Sequence, residues 1–200
     1  MLPMTLDLAK LPVALIGNGD AALRRLRLLD EAGAERLQIF AESPDAALTE
    51  AAGAHLTHRL PRRDEIAAAR LVFISDRKAP YVAEIADWAH AAGALVHIED
   101  DPTHSDMHAP AILRRGELTI AISTAGASPG LASRIKDFLG RRFGPEWAHH
   151  LDEIAAQRRR WRAEGIDNAA LAQRTADWID RQGWLLAEPV SVTTTMRRFS

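Results

Sequence analysis

Gly17-Asn18-Gly19-Asp20-Ala21-Ala22 has small residues at its first, third and sixth positions, a spacing suited to holding a diphosphate against the main chain. Gly17 permits a tight turn, Gly19 lets an anion approach the backbone, and Ala22 allows a following helix to lie close to the strand before it. The free N–H groups at the start of that helix then meet the anion. Glu42 follows Gly19 by 23 residues, where a carboxylate accepts hydrogen bonds from the ribose hydroxyls of an adenosine. No arginine directly follows Glu42, so NAD is expected rather than NADP. The expected cofactor contacts are Gly17, Asn18, Gly19, Asp20, Ala21, Glu42, Ser43 and Asp76. Asp20 acts either as a local cap or toward the ribose. The plainer alternatives are a tight turn without a ligand and, for Glu42, a solvated turn carboxylate. A second candidate is the pair His104 and His108, which flank Ser105 and Asp106. Histidines four residues apart near acids suit a divalent ion, or else a hydrogen-bonded role at a domain junction.

These groups need a scaffold, and the apolar pattern supplies one. PVALIG from Pro12 to Gly17 is a short apolar run bounded by Pro and Gly, predicting a strand buried on both faces. Ala22, Leu26 and Leu29, with arginines between them and Gly33 as a stop, predict a helix over residues 20 to 32. Strands are expected at Arg36 to Ala41, at residues 70 to 75 and at residues 95 to 98, the fourth. A helix is expected from Pro80 to Ala92, and the alanine-rich residues 45 to 69 are less clear. Alternating strand and helix predicts a Rossmann-type parallel α/β sheet. After Pro110 the pattern changes. AILRR and ELTIAIS flank Gly116 as a hairpin, and Ser128-Pro129 opens a helix on which Leu131, Ile135 and Phe138 share a face. Further helices are expected over residues 145 to 163 and 168 to 183.

With 47% hydrophobic and 26% charged residues the chain falls in the globular range, not the disordered one. It has no cysteine, which excludes disulfides, thiolate metal sites and a catalytic thiol. The opening MLPMTLDLAKLP carries an early acid and is not expected to be a signal peptide, and no stretch is apolar enough to span a bilayer; a cytoplasmic protein is expected, without a membrane partner. Residues 1 to 131 carry 13 basic against 18 acidic side chains, residues 132 to 200 carry 12 against 9, so the later part is the anion-facing one. A pI near 6.4 and the lack of a binding motif argue against nucleic acid.

Taken in order, the GxGD loop, Ile74-Ser75-Asp76, the acidic IEDDP stretch, the hairpin and STAGASPGLASRIKDFL resemble the precorrin-2 dehydrogenase/sirohydrochlorin ferrochelatase family, the first module of sirohaem synthases and their free-standing relatives. The resemblance covers roughly residues 8 to 165, and GASPGLA at 126 to 132 is its most specific piece. It implies an NAD-binding Rossmann domain over 1–110, a dimerisation region over 111–144 and a helical domain over 145–186, with 187–200 as a flexible tail. A homodimer also follows from the hairpin, too small to be stable with its apolar face in water. The implied activity is NAD-dependent oxidation of precorrin-2 to sirohydrochlorin; many members also insert ferrous iron to give sirohaem.

By the same resemblance Asp100, just before a proline-containing loop, is the catalytic candidate. A carboxylate base there serves both steps, because oxidation releases a proton with the hydride and metallation releases two pyrrole protons. Asp101, directly before Pro102, fits helix capping better. The tetrapyrrole carries eight carboxylates, so Thr124, Ala125, Gly126, Ser128 and Arg134 are expected substrate contacts, with the N–H groups of residues 125 to 127, Arg114, Arg115 and Arg158 to Arg160 as further candidates. The chain departs from its relatives at His104, Ser105, Asp106 and His108, where apolar residues are usual, and at Asn18, where a third glycine is common. Two alternatives from other classes are a nucleotide-binding regulatory module without chemistry, and a tetrapyrrole-binding or metal-delivery protein using the histidine loop.

Overall fold

A computed structural model of the chain describes residues 2–76 and 78–185. Two compact units are present: one runs to Pro110 and takes in Ser123–Gly130, the other holds Ala111–Ile122 and the chain from Leu131. Residues 123–130 group with the first unit and not with the hairpin.

The first unit is a doubly wound sheet. Its strands are β1 (Val13–Ile16), β2 (Leu37–Phe40), β3 (Leu56–Thr57), β4 (Leu71–Ile74) and β5 (Leu95–Ile98), all parallel, in the order β3-β2-β1-β4-β5. Five strands replace the expected four, because β3 is only two residues long and carries no periodicity to detect. All four residues of β1 are buried, and they alternate between two cores. Val13 and Leu15 pack with Leu23, Leu26 and Leu29 of α1 (Gly19–Glu31) and Leu48 of α2 (Ala46–Ala52). Ala14 and Ile16 pack with Ile66 of α3 (Arg63–Ala68) and with Ile85 and Ala89 of α4 (Val82–Ala91). Covering both faces of a parallel sheet requires this uninterrupted apolar strand.

β5 lies at one edge of the sheet, and the loop after it folds back along that edge. Asp106 N–H donates to Val96 O at 2.8 Å, while Val96 N–H donates to Asp106 Oδ2 and Ile98 N–H to Ser105 Oγ, each at 2.9 Å. Ser105 Oγ donates in turn to Asp101 O at 2.6 Å. The polar residues Ser105 and Asp106 thus satisfy an edge that would otherwise invite pairing with another chain.

The second unit holds the antiparallel hairpin β6 (Ala111–Arg115) and β7 (Leu118–Ile122), with α5 (Pro129–Arg142) from Leu131 onward, α6 (Trp147–Ala163) and α7 (Asn168–Gln182). Gly116 turns the hairpin at φ +57°. Asp167 caps α7 by accepting from Ala169 and Ala170 N–H, and Gly183 ends it in the left-handed conformation. On α5 only Ala132 is fully buried, while Leu131 and Phe138 are 52% and 61% exposed; the shared apolar face is there, but it faces water. The expected tail, 187–200, lies outside the described residues.

Candidate functional site

In an open α/β sheet, ligands bind beyond the carboxyl ends of the strands, at the point where the strand order reverses. That point lies between β1 and β4, and Gly17 occupies it with φ +139°. A Cβ there would sit 3.1 Å from Ser75 Cβ and 3.4 Å from Asp76 N, so the loop after β1 closes on the end of β4 only as glycine. Gly19 has φ +66° and nothing within 4 Å of an added Cβ: its backbone faces open space. Ala22 is fully buried where α1 meets the sheet. Asn18 occupies the cap position of α1 without capping it; its Oδ1 accepts from Ser43 N–H at 3.0 Å instead. The first turn of α1 therefore keeps its donors for an anion, and the loops after β1 and β2 are tied together. Asp20 is exposed in that first turn, where the helix dipole favours a carboxylate.

Glu42 is exposed two residues beyond β2. Tyr81, just before α4, was not picked out from sequence, where a single tyrosine next to a proline has no signature. Its hydroxyl is buried without a well-formed hydrogen bond among the described residues, although Asp76 approaches it. Burial, and then the Asp76 and Glu42 carboxylates, push its pKa up to about 12. Ser75 Oγ is likewise buried without a hydrogen-bond partner among the described residues. The ends of β2 and β4 thus gather Glu42, Asp76 and two underused hydroxyls near the loop at 17 to 22. The open space at Gly19 and the uncapped start of α1 fit a dinucleotide diphosphate.

Asp100 occupies the turn directly after β5 with φ +55°, one of two non-glycine residues with positive φ in the described chain; the other is Ala125, at +52°. The two lie on neighbouring segments, because a Cβ on Gly126 would come within 3.9 Å of Pro102 Cβ. Backbone strain of this kind gathers where function requires an unusual geometry. Asp101 behaves differently. It accepts from His104 N–H at 3.2 Å and pairs with His104 Nδ1 at 2.9 Å, and His104 above all holds its carboxyl below the usual range. The expectation that Asp101 caps a helix is not met, because no helix follows Pro102; its carboxylate braces the bend through His104 instead. Asp101 and His104, with His90 and Asp106, line a cavity of about 620 Å3 against Val82 and Ala86 of α4.

His104 is occupied by Asp101, His90 Nε2 meets Asp106 Oδ2 at 2.9 Å, and among the described residues no three potential ligands converge on a metal position. His104 and His108 are not brought together in such a set. Several donors among the substrate candidates have partners within the chain. Ala125 N–H donates to Ser123 Oγ, Ala127 N–H to Thr124 O and Ser128 N–H to Thr124 Oγ1, so these donors hold the loop's own shape. Arg115 donates to Phe143 O and Gly140 O at the end of α5, and Arg158 to Thr175. Arg134 is exposed on α5, in the second unit.

One cluster escaped the sequence reading. Arg25 of α1 is buried, and its Nη2 reaches Glu99 Oε2 at 2.6 Å and His97 Nε2 at 2.8 Å. His97 Nδ1 lies 3.0 Å from Met107 O. A proton on Nδ1 satisfies that carbonyl and leaves Nε2 to accept from Arg25. With His97 and then Arg25 beside it, the Glu99 carboxyl is held down at about 2 against the opposing effect of burial; the Arg25 guanidinium at 2.6 Å is the cause the geometry supports, because His97 Nε2, 3.7 Å away, accepts from Arg25 and has no proton to give Glu99.

Sheet order and loop geometry define a dinucleotide-binding α/β protein. A family profile described as NAD(P)-binding matches residues 4–111, and one described as the central part of sirohaem biosynthesis proteins matches residues 115–142. A siroheme synthase of Stutzerimonas stutzeri is 35% identical over 68% of this chain and 30% of its own length. Siroheme synthase 2 of Aeromonas salmonicida is 30% identical over 94% of this chain and 41% of its own length. The chain therefore spans well under half of these curated relatives. Among solved structures, SirC, a precorrin-2 dehydrogenase, superposes with a TM-score of 0.73 at 20% identity, covering 93% of each chain; it shares the fold. The chain belongs to the precorrin-2 dehydrogenase/sirohydrochlorin ferrochelatase family.

Proposed function

We propose that this chain oxidises precorrin-2 to sirohydrochlorin, with NAD at the loop from Gly17 to Ala22 and Asp100 as the general base. The observation that carries this reading is the placement, on one unit, of a glycine-enforced diphosphate loop and a strained aspartate, both at the carboxyl ends of the parallel strands. Bound NAD supplies a hydride acceptor. The N–H groups of α1 hold its diphosphate, Glu42 accepts from the adenosine ribose, and the same carboxylate disfavours a 2′-phosphate. Asp100 takes the proton that leaves the macrocycle with the hydride. The 123–128 loop, braced by Thr124, shapes the wall beside Pro102, and the hydroxyls of Thr124 and Ser128 face the substrate's carboxylates.

Ferrous iron is a second substrate in this reading, and Asp100 removes the pyrrole protons that metallation displaces. The chain works as a homodimer, which covers the exposed Leu131 and Phe138 of α5 together with the hairpin. Incubating the purified protein with precorrin-2 and NAD, and following the sirohydrochlorin chromophore, tests the first step. Adding Fe2+ to preformed sirohydrochlorin tests the second. No chromophore change in the first assay refutes the dehydrogenase reading.

A further inference from the structure

Asp100 holds a left-handed backbone without being glycine, so its surroundings must keep it there. The preceding residue is tied down twice. Glu99 N–H continues the sheet ladder to Ile74 O at 2.9 Å, and the Glu99 carboxylate is gripped by Arg25 at 2.6 Å. Only one peptide unit, about 3.8 Å between Cα atoms, separates Glu99 from Asp100, so any movement of Glu99 passes directly to Asp100. Arg25 is itself confined, with its side chain 9% exposed and its guanidinium 5.4 Å from the Phe73 ring centroid. It projects from α1, the helix whose first turn faces the cofactor site.

We infer that Arg25, Glu99 and His97 form a positioning device that fixes Asp100 and ties it to the helix carrying the phosphate loop. The inference rests on Asp100 being the base. A helix is a stiff body, so a base tied to α1 keeps a constant offset from a diphosphate bound at its N-terminus. His97 completes the device. Its Nδ1–H on Met107 O orients the ring, and Nε2 takes a second Arg25 donor, leaving the guanidinium little freedom to leave Glu99. A buried ion pair is weak support for stability in general, so a role in placing the neighbouring aspartate accounts better for its presence beside the site.

The test is a double-mutant cycle on the full chain with saturating precorrin-2 and NAD. Glu99→Gln keeps the shape but removes the charge, and should lower kcat about tenfold to a hundredfold, the usual result of a misplaced catalytic group. NAD affinity by calorimetry should hold. In the Asp100→Asn background Glu99→Gln should cost no further rate, because nothing remains to be positioned. Equal losses in both backgrounds would show a merely structural pair and overturn the inference, as would unchanged kcat for Glu99→Gln in the otherwise native chain. Full turnover in Asp100→Asn alone would overturn the base assignment and this inference with it, whereas a slow Asp100→Asn beside a fast Glu99→Gln overturns only the inference. If Glu99→Gln does not fold, Arg25→Lys keeps the charge but replaces the planar fork with a single ammonium nitrogen; it should show a smaller loss with the same non-additivity.

Discussion

Gly17 and Gly19 sit two residues apart in one loop, and the structure separates what each contributes. Gly17→Ala places a methyl group 3.1 Å from Ser75 Cβ, 3.3 Å from Ser75 Oγ and 3.4 Å from Asp76 N, at φ +139°. Strain at such a backbone and an overfilled contact together cost roughly 2 to 5 kcal/mol, a large share of a stability typically about 5 to 15 kcal/mol. Gly19→Ala meets nothing within 4 Å and carries the left-handed penalty alone, about 1 to 2 kcal/mol, yet its methyl group occupies the space a diphosphate needs. Urea unfolding followed by circular dichroism, paired with NAD titration by calorimetry, reads both effects. Gly17→Ala should unfold at clearly lower urea. Gly19→Ala should unfold close to the native chain but bind NAD at least about tenfold more weakly, a loss of about 1.4 kcal/mol. The reasoning is refuted if Gly19→Ala costs more stability than Gly17→Ala, or if it binds NAD as the native chain does.

Asp100→Asn should leave NAD affinity intact and lower turnover on the order of a hundred- to ten-thousandfold, while Asp101→Asn should be mild because Asn still accepts from His104 N–H; a reversed order of effects would exchange the two roles. The native chain should prefer NAD to NADP and Glu42→Arg should narrow the gap, so equal calorimetric affinities for the native chain would remove the Glu42 argument. Glu65, held at about 2 first by its hydrogen bond to Arg59, has a folded pKa below its ordinary value of 4.5. The pair's contribution is therefore present above pH 4.5 and lost as pH falls toward 2. Glu65→Gln should flatten the melting temperature against pH across that window, and an unchanged slope would count against the pair. Sedimentation at micromolar concentration should show a dimer that Leu131→Asp with Phe138→Asp converts to monomer; a monomeric native chain would end the dimer proposal.

Strand positions were legible where an apolar run met Gly or Pro. β1, β2, β4 and β5 fall inside the expected runs; β1 and β4, buried on both faces, are uninterrupted apolar residues, whereas β2 carries the exposed Gln38 and β5 the half-buried His97. β3 was not legible, because two residues, Leu56 and Thr57, cannot display a period. Arg25 was hidden for the opposite reason. The pattern of Ala22, Leu26 and Leu29 is clear, and a periodic reading sends every arginine between them to solvent. Its partners, Glu99 and His97, lie 74 and 72 residues away, a separation no local pattern reveals.

The histidine loop shows how a chemical reading and a structural one compete for the same residues. Paired histidines beside acids read as metal ligands, but Ser105 and Asp106 spend their polar atoms on Val96, Ile98 and Asp101, and His90 and His104 each close on a neighbouring carboxylate. An edge strand needs such partners whether or not a ligand binds. The same competition separates the two aspartates. Asp101 is held by the turn it caps, with its pKa lowered by His104, so it is a poorer base and its loss should mainly loosen the loop. Asp100, one residue nearer the sheet, has an unusual backbone angle that capping does not require. Its left-handed angle closes the turn in which Asp101 N–H donates to Ile98 O at 3.2 Å, and this sets the carboxylate beside a strand end that Arg25 holds from α1, which is the placement that favours Asp100 over Asp101 as the proposed base.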